Sequence, residues 1–167
     1  AVLLDHVIVN NAAAAGSIGC LIENAADVQM VSCHFLDAPN NLKIAPGTNQ
    51  TLTSFKAIGC FFDTSASISV LIEPAGTGIV SKLNFTGTWF QGGATQCVHV
   101  NGGIGTAQIS GITFSDCEAY NSTSGAGVLV AGRVANFSWI GGKIAGCVTG
   151  ISIATASTFN NHLVEGV

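Results

Sequence analysis

The sequence predicts an all-β solenoid: one chain wound into stacked turns of short parallel strands. Three observations predict it. Apolar residues alternate in short runs, the runs recur every 22–30 residues, and no ten-residue stretch keeps a helical period. Strict alternation puts every second side chain on one face, which is the signature of a strand with one side buried.

The elements follow in chain order as two interleaved sets. One comprises Cys20–Ile22, Leu42–Ile44, Val70–Ile72, Val98–Val100, Val128–Val130 and Ile151–Ile153, most of them followed by turn-forming residues such as EPAG, NGG or AGR. The other comprises Val7–Val9, Val28–Met30, Phe55–Ala57, Leu83–Phe85, Ile112–Phe114 and Phe137–Trp139, with Phe159 opening a seventh unit. Each unit therefore holds at least two strands joined by Gly, Asn, Ser and Thr turns. A unit of this length cannot close a core alone, and stacking the units buries a continuous one. Helical repeats lack support in the pattern, and propeller blades need about 40 residues each. A parallel β-helix remains, with six to seven rungs roughly 4.8 Å apart and a height of roughly 30 Å. Three inner columns are expected. The first is Val7, Val28, Phe55, Leu83, Ile112 and Phe137; the second is Val9, Met30, Ala57, Phe85, Phe114 and Trp139; the third is Ala12, Cys33, Cys60, Thr88, Cys117 and Gly142.

Composition bounds the function. Charged residues make up 8% of the chain, five of them basic, and the net charge is −4. A surface that tracks nucleic-acid phosphates is thereby excluded, and so is a disordered chain. So little charge leads to the expectation that part of the surface is buried against other chains or further parts of its own. Residues 1–167 read as one domain, and the absence of an initial Met reads as a piece of a longer protein. No basic segment precedes a long apolar core near the N-terminus, as a signal peptide would require. Leu83–Ser115 and Ile144–Val164 carry no acidic or basic residue, but polar residues and glycines interrupt both, so no membrane span is expected. No C-x-x-C occurs among the six cysteines. Cys33 and Cys60 stack within disulfide reach, yet small thiols suit an inner ladder and are read as free.

Segments such as VQMVSCHFLDAPNNLKI, KAIGCFFDTSASISVLI, FTGTWFQGGATQCVHV and FSDCEAYNSTSGAGVLV resemble rungs of right-handed, single-stranded parallel β-helix proteins of the pectate-lyase-like superfamily, over roughly residues 4–160. That group includes bacteriophage tailspikes and many polysaccharide lyases and hydrolases, so the resemblance implies the fold more firmly than any one activity. Pectate lyases of this fold use calcium-binding aspartates and a basic proton abstractor. Here Arg133 is the only arginine and no aspartate pair stands near its rung. The paired aspartates and Gly-His-Gly string of polygalacturonases are also missing. Tailspikes impose no universal motif, and the resemblance is strongest to them.

Candidate chemistry is sparse. Asp116 and Glu118 are the only closely spaced carboxylates. Flanking an inward Cys117, they are expected on one strand face, about 6.5–7 Å apart, within the range for an acid and a base flanking a water. The offset of Glu118 defines an outward column of His34, Phe61, Trp89, Glu118 and Lys143. Phe61 and Trp89, with His34 and Lys143, are the candidate substrate-binding residues, and Asp116 and Glu118 the candidate catalytic pair. An exposed aromatic strip suits either sugar rings or a subunit interface. Glu23 and Glu73 share another column and read as solvated turn charges. His6, His99 and His162 lack partners at metal-ligand spacing, and no metal or cofactor is expected. Four N-x-[ST] sequons, at Asn49, Asn84, Asn121 and Asn136, read as turn residues. The leading expectation is a phage tailspike or tail-fibre segment on the virion tail, a homotrimer that binds bacterial surface polysaccharide, with cleavage of it left open. The alternatives are a structural shaft or adhesin module without catalysis, and a secreted microbial polysaccharide lyase or hydrolase.

Overall fold

The structure, a computed structural model, describes residues 1–10, 14–103, 106–155 and 161–167. It is an all-β parallel solenoid of about six turns, and no helix occurs among the described residues. Hence no helix is long and apolar enough to cross a membrane. Each turn contributes to three parallel sheets. The first sheet runs through Val2–Asp5, Val28–Val31, Phe55–Ile58, Ile79–Thr86, Gln108–Ser115, Val134–Ile140 and Leu163–Glu165, with Thr51–Leu52 beside Ile79–Thr86. The second stacks Ile8–Asn10, His34–Leu36, Phe61–Asp63, Trp89–Gln91, Glu118–Tyr120 and Lys143–Ala145. The third stacks Ile18–Ile22, Asn40–Ile44, Ile68–Ile72, Gln96–Gly102, Ala126–Gly132 and Thr149–Thr155.

Register follows the apolar alternation. Val28, Phe55, Leu83, Ile112 and Phe137 align in one inner column, and Met30, Ala57, Phe85, Phe114 and Trp139 in the next. All are buried. The first turn departs from expectation. Val2 and Leu4, not Val7 and Val9, pair with Val28 and Met30. Val7 belongs with Cys33, and Val9 aligns with Phe35. The first nine residues hold two apolar pairs, and alternation alone does not choose between them. Ala12 and Phe159 lie outside the described residues.

The second sheet was not legible as a separate layer, because three-residue strands are too short to show a period. Its inner column is aromatic for three turns: Phe35 and Phe62 stack at 5.4 Å and 11°, and Phe62 and Phe90 at 5.9 Å and 6°. Phe90 also meets Phe85 and Phe114 edge-on, which ties this column to the first sheet's.

The first and second sheets join at a two-residue corner whose first residue is left-handed. His6, Ser32, Gly59, Gly87, Asp116, Gly141 and Gly166 all adopt left-handed backbone there, with φ between 49° and 66°. From His6 to Gly141, each amide in this column donates to a carbonyl of the following turn. Immediately inside the corner sits the buried column Cys33, Cys60, Thr88 and Cys117, whose next position, Gly142, is exposed instead. Thr88 Oγ1 donates to the Ala57 and Thr86 carbonyls, and Cys117 Sγ to those of Phe85 and Ser115. Thiol and hydroxyl are interchangeable here because each is a small side chain with one donor. Cys33 and Cys60 are free thiols.

Candidate functional site

The outer face of the second sheet is built by the same register that fills its inner face. His34, Phe61, Trp89, Glu118 and Lys143 align on five successive turns, with Ile8 one turn earlier. Every inward neighbour in the strand, from Phe35 to Ala119, points to the core, so these side chains point out. Phe61 is 41% exposed, Asp116 and Lys143 are exposed, and His34, Trp89 and Glu118 are half-buried.

An open groove of about 430 Å³ lies along the corner, lined by Phe61, Gly87, Thr88, Trp89, Asp116 and Glu118. Its openness has a backbone cause. The corner is glycine at two successive turns, Gly59 and Gly87, and a Cβ at either would meet nothing within 4 Å. The next corner residue is Asp116, whose Oδ1 would lie 2.5 Å from a Cβ at Gly141. The carboxylate thus rests over the glycine of the following turn.

Asp116 and Glu118 do not share a strand. The first-sheet strand ends at Ser115, Asp116 turns the corner with φ 51°, and Glu118 opens the second-sheet strand. The spacing for two residues of one extended strand does not apply, because a left-handed residue breaks the pleat. Both carboxylates nevertheless line the same groove.

Two residues beyond the expected set complete the site. Tyr120 packs on Trp89 with ring centroids 4.5 Å apart, and its hydroxyl donates to Glu118 Oε2 at 2.8 Å. That bond holds the Tyr120 phenol above its ordinary pKa, since losing the proton would set two anions side by side. Gln91 accepts a hydrogen bond from Trp89 Nε1 at 3.1 Å. Tyr120 and Gln91 stand two residues after Glu118 and Trp89, so strand alternation could have found them on the same face. His34 and Lys143 belong to the column but not to the groove. His34 packs on Phe61 at 4.6 Å, and the Lys143 ammonium lies 5.3 Å from the Tyr120 ring centre.

The remaining candidates are elsewhere. Glu73 pairs with Lys43 at 3.7 Å and accepts from Asn101 at 3.1 Å, and it shares a column with Glu23 on the third sheet. Asn49, Asn121 and Asn136 adopt left-handed backbone, which asparagine tolerates better than most residues. A smaller hollow of about 240 Å³, lined by Val2, Leu4, Cys20, Met30 and others, lies where the inner columns meet solvent at the first turn. It is mostly apolar and brings no catalytic set together. No protein-family model, curated protein or solved structure matches this chain.

Proposed function

We propose that the outer face of the second sheet is a polysaccharide-binding platform, on a segment of bacteriophage tailspike or tail-fibre type that seats bacterial surface polysaccharide from the virion tail. The observation that carries this reading is the open groove bounded by Phe61 and Trp89 with two carboxylates beside them. Aromatic faces cover the apolar faces of sugar rings, and carboxylates accept hydrogen bonds from ring hydroxyls. Tyr120 and Gln91 fix Trp89 in advance, which lowers the ordering cost of binding. A rigid column of equivalent positions also suits a polymer of repeating units. The sequence resemblance to tailspikes supports the same reading. The low charge content supports a parallel homotrimer, with part of the surface covered by neighbouring subunits.

The test is a glycan panel probed with the chain and with its Trp89→Ala and Phe61→Ala variants. Loss of binding in both variants, with circular dichroism unchanged, supports the platform. Binding that survives both variants refutes it.

Cleavage is a second reading, favoured by the hydrogen bond from Tyr120 to Glu118. That bond fixes the Glu118 side chain in the groove that Asp116 also lines, so the two carboxylates are the pair available to serve as acid and base. Retained depolymerisation in Asp116→Asn and Glu118→Gln would refute this assignment while leaving binding intact. An interface is the rival use of the same strip, because Ile58 and Ile140 are 41% and 38% exposed at the edge of the same corner. Under that use, Trp89→Ala lowers the oligomeric mass seen by light scattering before it affects any glycan.

A further inference from the structure

The charge around the groove narrows what the platform accepts. The charged residues lining it are Asp116 and Glu118, both acidic. Asp63 lies on the same sheet with its Oδ1 accepting from the Thr64 amide, and Asp37 turns the sheet's far corner, so neither adds positive charge to this face. Against them stands Lys143, the only one of the five basic residues on this sheet. Its ammonium already lies over Tyr120. Lys56 and Lys82 are on first-sheet strands, Lys43 is paired on the third sheet, and Arg133 follows a third-sheet strand.

We infer that the groove is selective for amino sugars: it takes a polymer bearing free ammonium groups, and disfavours neutral and acidic ones. The inference rests on the reading of this face as a polysaccharide platform. Two features favour an ammonium over a hydroxyl. Phe61 and Trp89 line the groove, and aromatic rings attract a cation as well as cover a sugar ring. Asp116 and Glu118 offer charge-assisted hydrogen bonds, roughly twice as strong as neutral ones. Tyr120 donates one hydrogen bond to Glu118, and a carboxylate accepts up to about four, so Glu118 keeps acceptor capacity for a ligand. A uronate, sialate or phosphate group meets repulsion from the same carboxylates, which salt screens because the groove is open to solvent.

The experiment is calorimetric titration of the chain with three oligosaccharides of matched length: a glucosamine hexamer, its fully N-acetylated form, and a galacturonate hexamer. The glucosamine hexamer is expected to bind about tenfold tighter than the N-acetylated form, consistent with one charged hydrogen bond. That preference should shrink as salt is raised, and the galacturonate should not bind. The double variant Asp116→Asn/Glu118→Gln should erase the preference, because the amides still accept hydrogen bonds but carry no charge. Trp89→Ala should weaken both hexamers. Equal or tighter binding of the N-acetylated or galacturonate hexamer overturns the selectivity and leaves the platform standing. So does a preference that ignores salt or survives the double variant. If no glycan in this set or on a broad array binds, the platform and the selectivity fall together. An oligolysine peptide that matches the glucosamine hexamer, with the same dependence on Asp116 and Glu118, overturns the sugar assignment.

Discussion

Truncation of Phe114 to alanine tests the register on which every column depends. The ring is fully buried and stacks between Phe85 at 4.7 Å and 7° and Trp139 at 5.1 Å and 21°. Phe90 and Phe137 close its sides at 5.8 and 5.9 Å. Removing a buried Phe costs about 3–5 kcal/mol. The upper half of that range is expected, because backbone ladders pin Phe85 and Trp139 on either side and the cavity cannot collapse. Each lost stacked pair adds about 0.5–1.5 kcal/mol to the burial contribution. A loss of about 4–5 kcal/mol lowers the melting temperature of a chain this size by roughly 8–20 °C. The control is Phe61→Ala. That ring is 41% exposed, so its truncation costs only about 1–2 kcal/mol by the burial scale. Urea unfolding followed by circular dichroism gives both values. If Phe114→Ala costs no more than Phe61→Ala, the inward and outward assignments are wrong.

Three further outcomes are expected. Gly87→Ala adds a Cβ that touches nothing, so its cost isolates the left-handed backbone at φ 53°, about 1–2 kcal/mol in the same urea assay, and a neutral result would refute the corner geometry. Tyr120 is the only tyrosine, so absorbance at 295 nm titrates it alone. Its pKa lies above the ordinary value because its hydroxyl is bonded to Glu118, so the stabilisation holds below pH 10 and is lost as pH rises through the raised value. Glu118→Gln should bring the titration back toward the ordinary range, and an unmoved titration would remove Glu118 as the cause. Burial pushes the Cys97 thiol up to about 12, helped by the neighbouring Cys147, and the Cys117 thiol to about 11. Since the thiolate is the nucleophile, both should resist iodoacetamide at pH 8 until the chain unfolds, as read by mass spectrometry. Labelling at the unfolded rate would place them outside the core.

How much was legible in the sequence depended on what alternation can encode. The Phe114 and Ile112 columns were readable because strands of seven or eight residues show their period. The column from His34 to Lys143 was readable by a fixed offset from the Cys33, Cys60 and Cys117 positions. The corner was not, because His6, Ser32, Gly59, Gly87 and Asp116 share a backbone conformation and no side-chain property. Missing the corner is what put Asp116 and Glu118 on one strand. Tyr120 was overlooked for a different reason: its role comes from Trp89, a residue 31 positions earlier that only the stacked register brings into contact.

The two-residue corner also governs how such a chain can grow. Each corner amide bonds only to the turn beside it, so no turn is tied to a distant one through that ladder. Phe61 and Trp89 stand 28 residues apart, one turn's length. A whole turn copied into the gene would extend the outer column by one position, and every existing neighbour would keep its place. A single residue added inside a strand would turn the outward row to the core. The loops after the third-sheet strands can absorb odd lengths, and the unequal repeat of 22–30 residues fits that division. Duplication would thus lengthen the outer column in whole steps, each adding one more site for a repeating ligand.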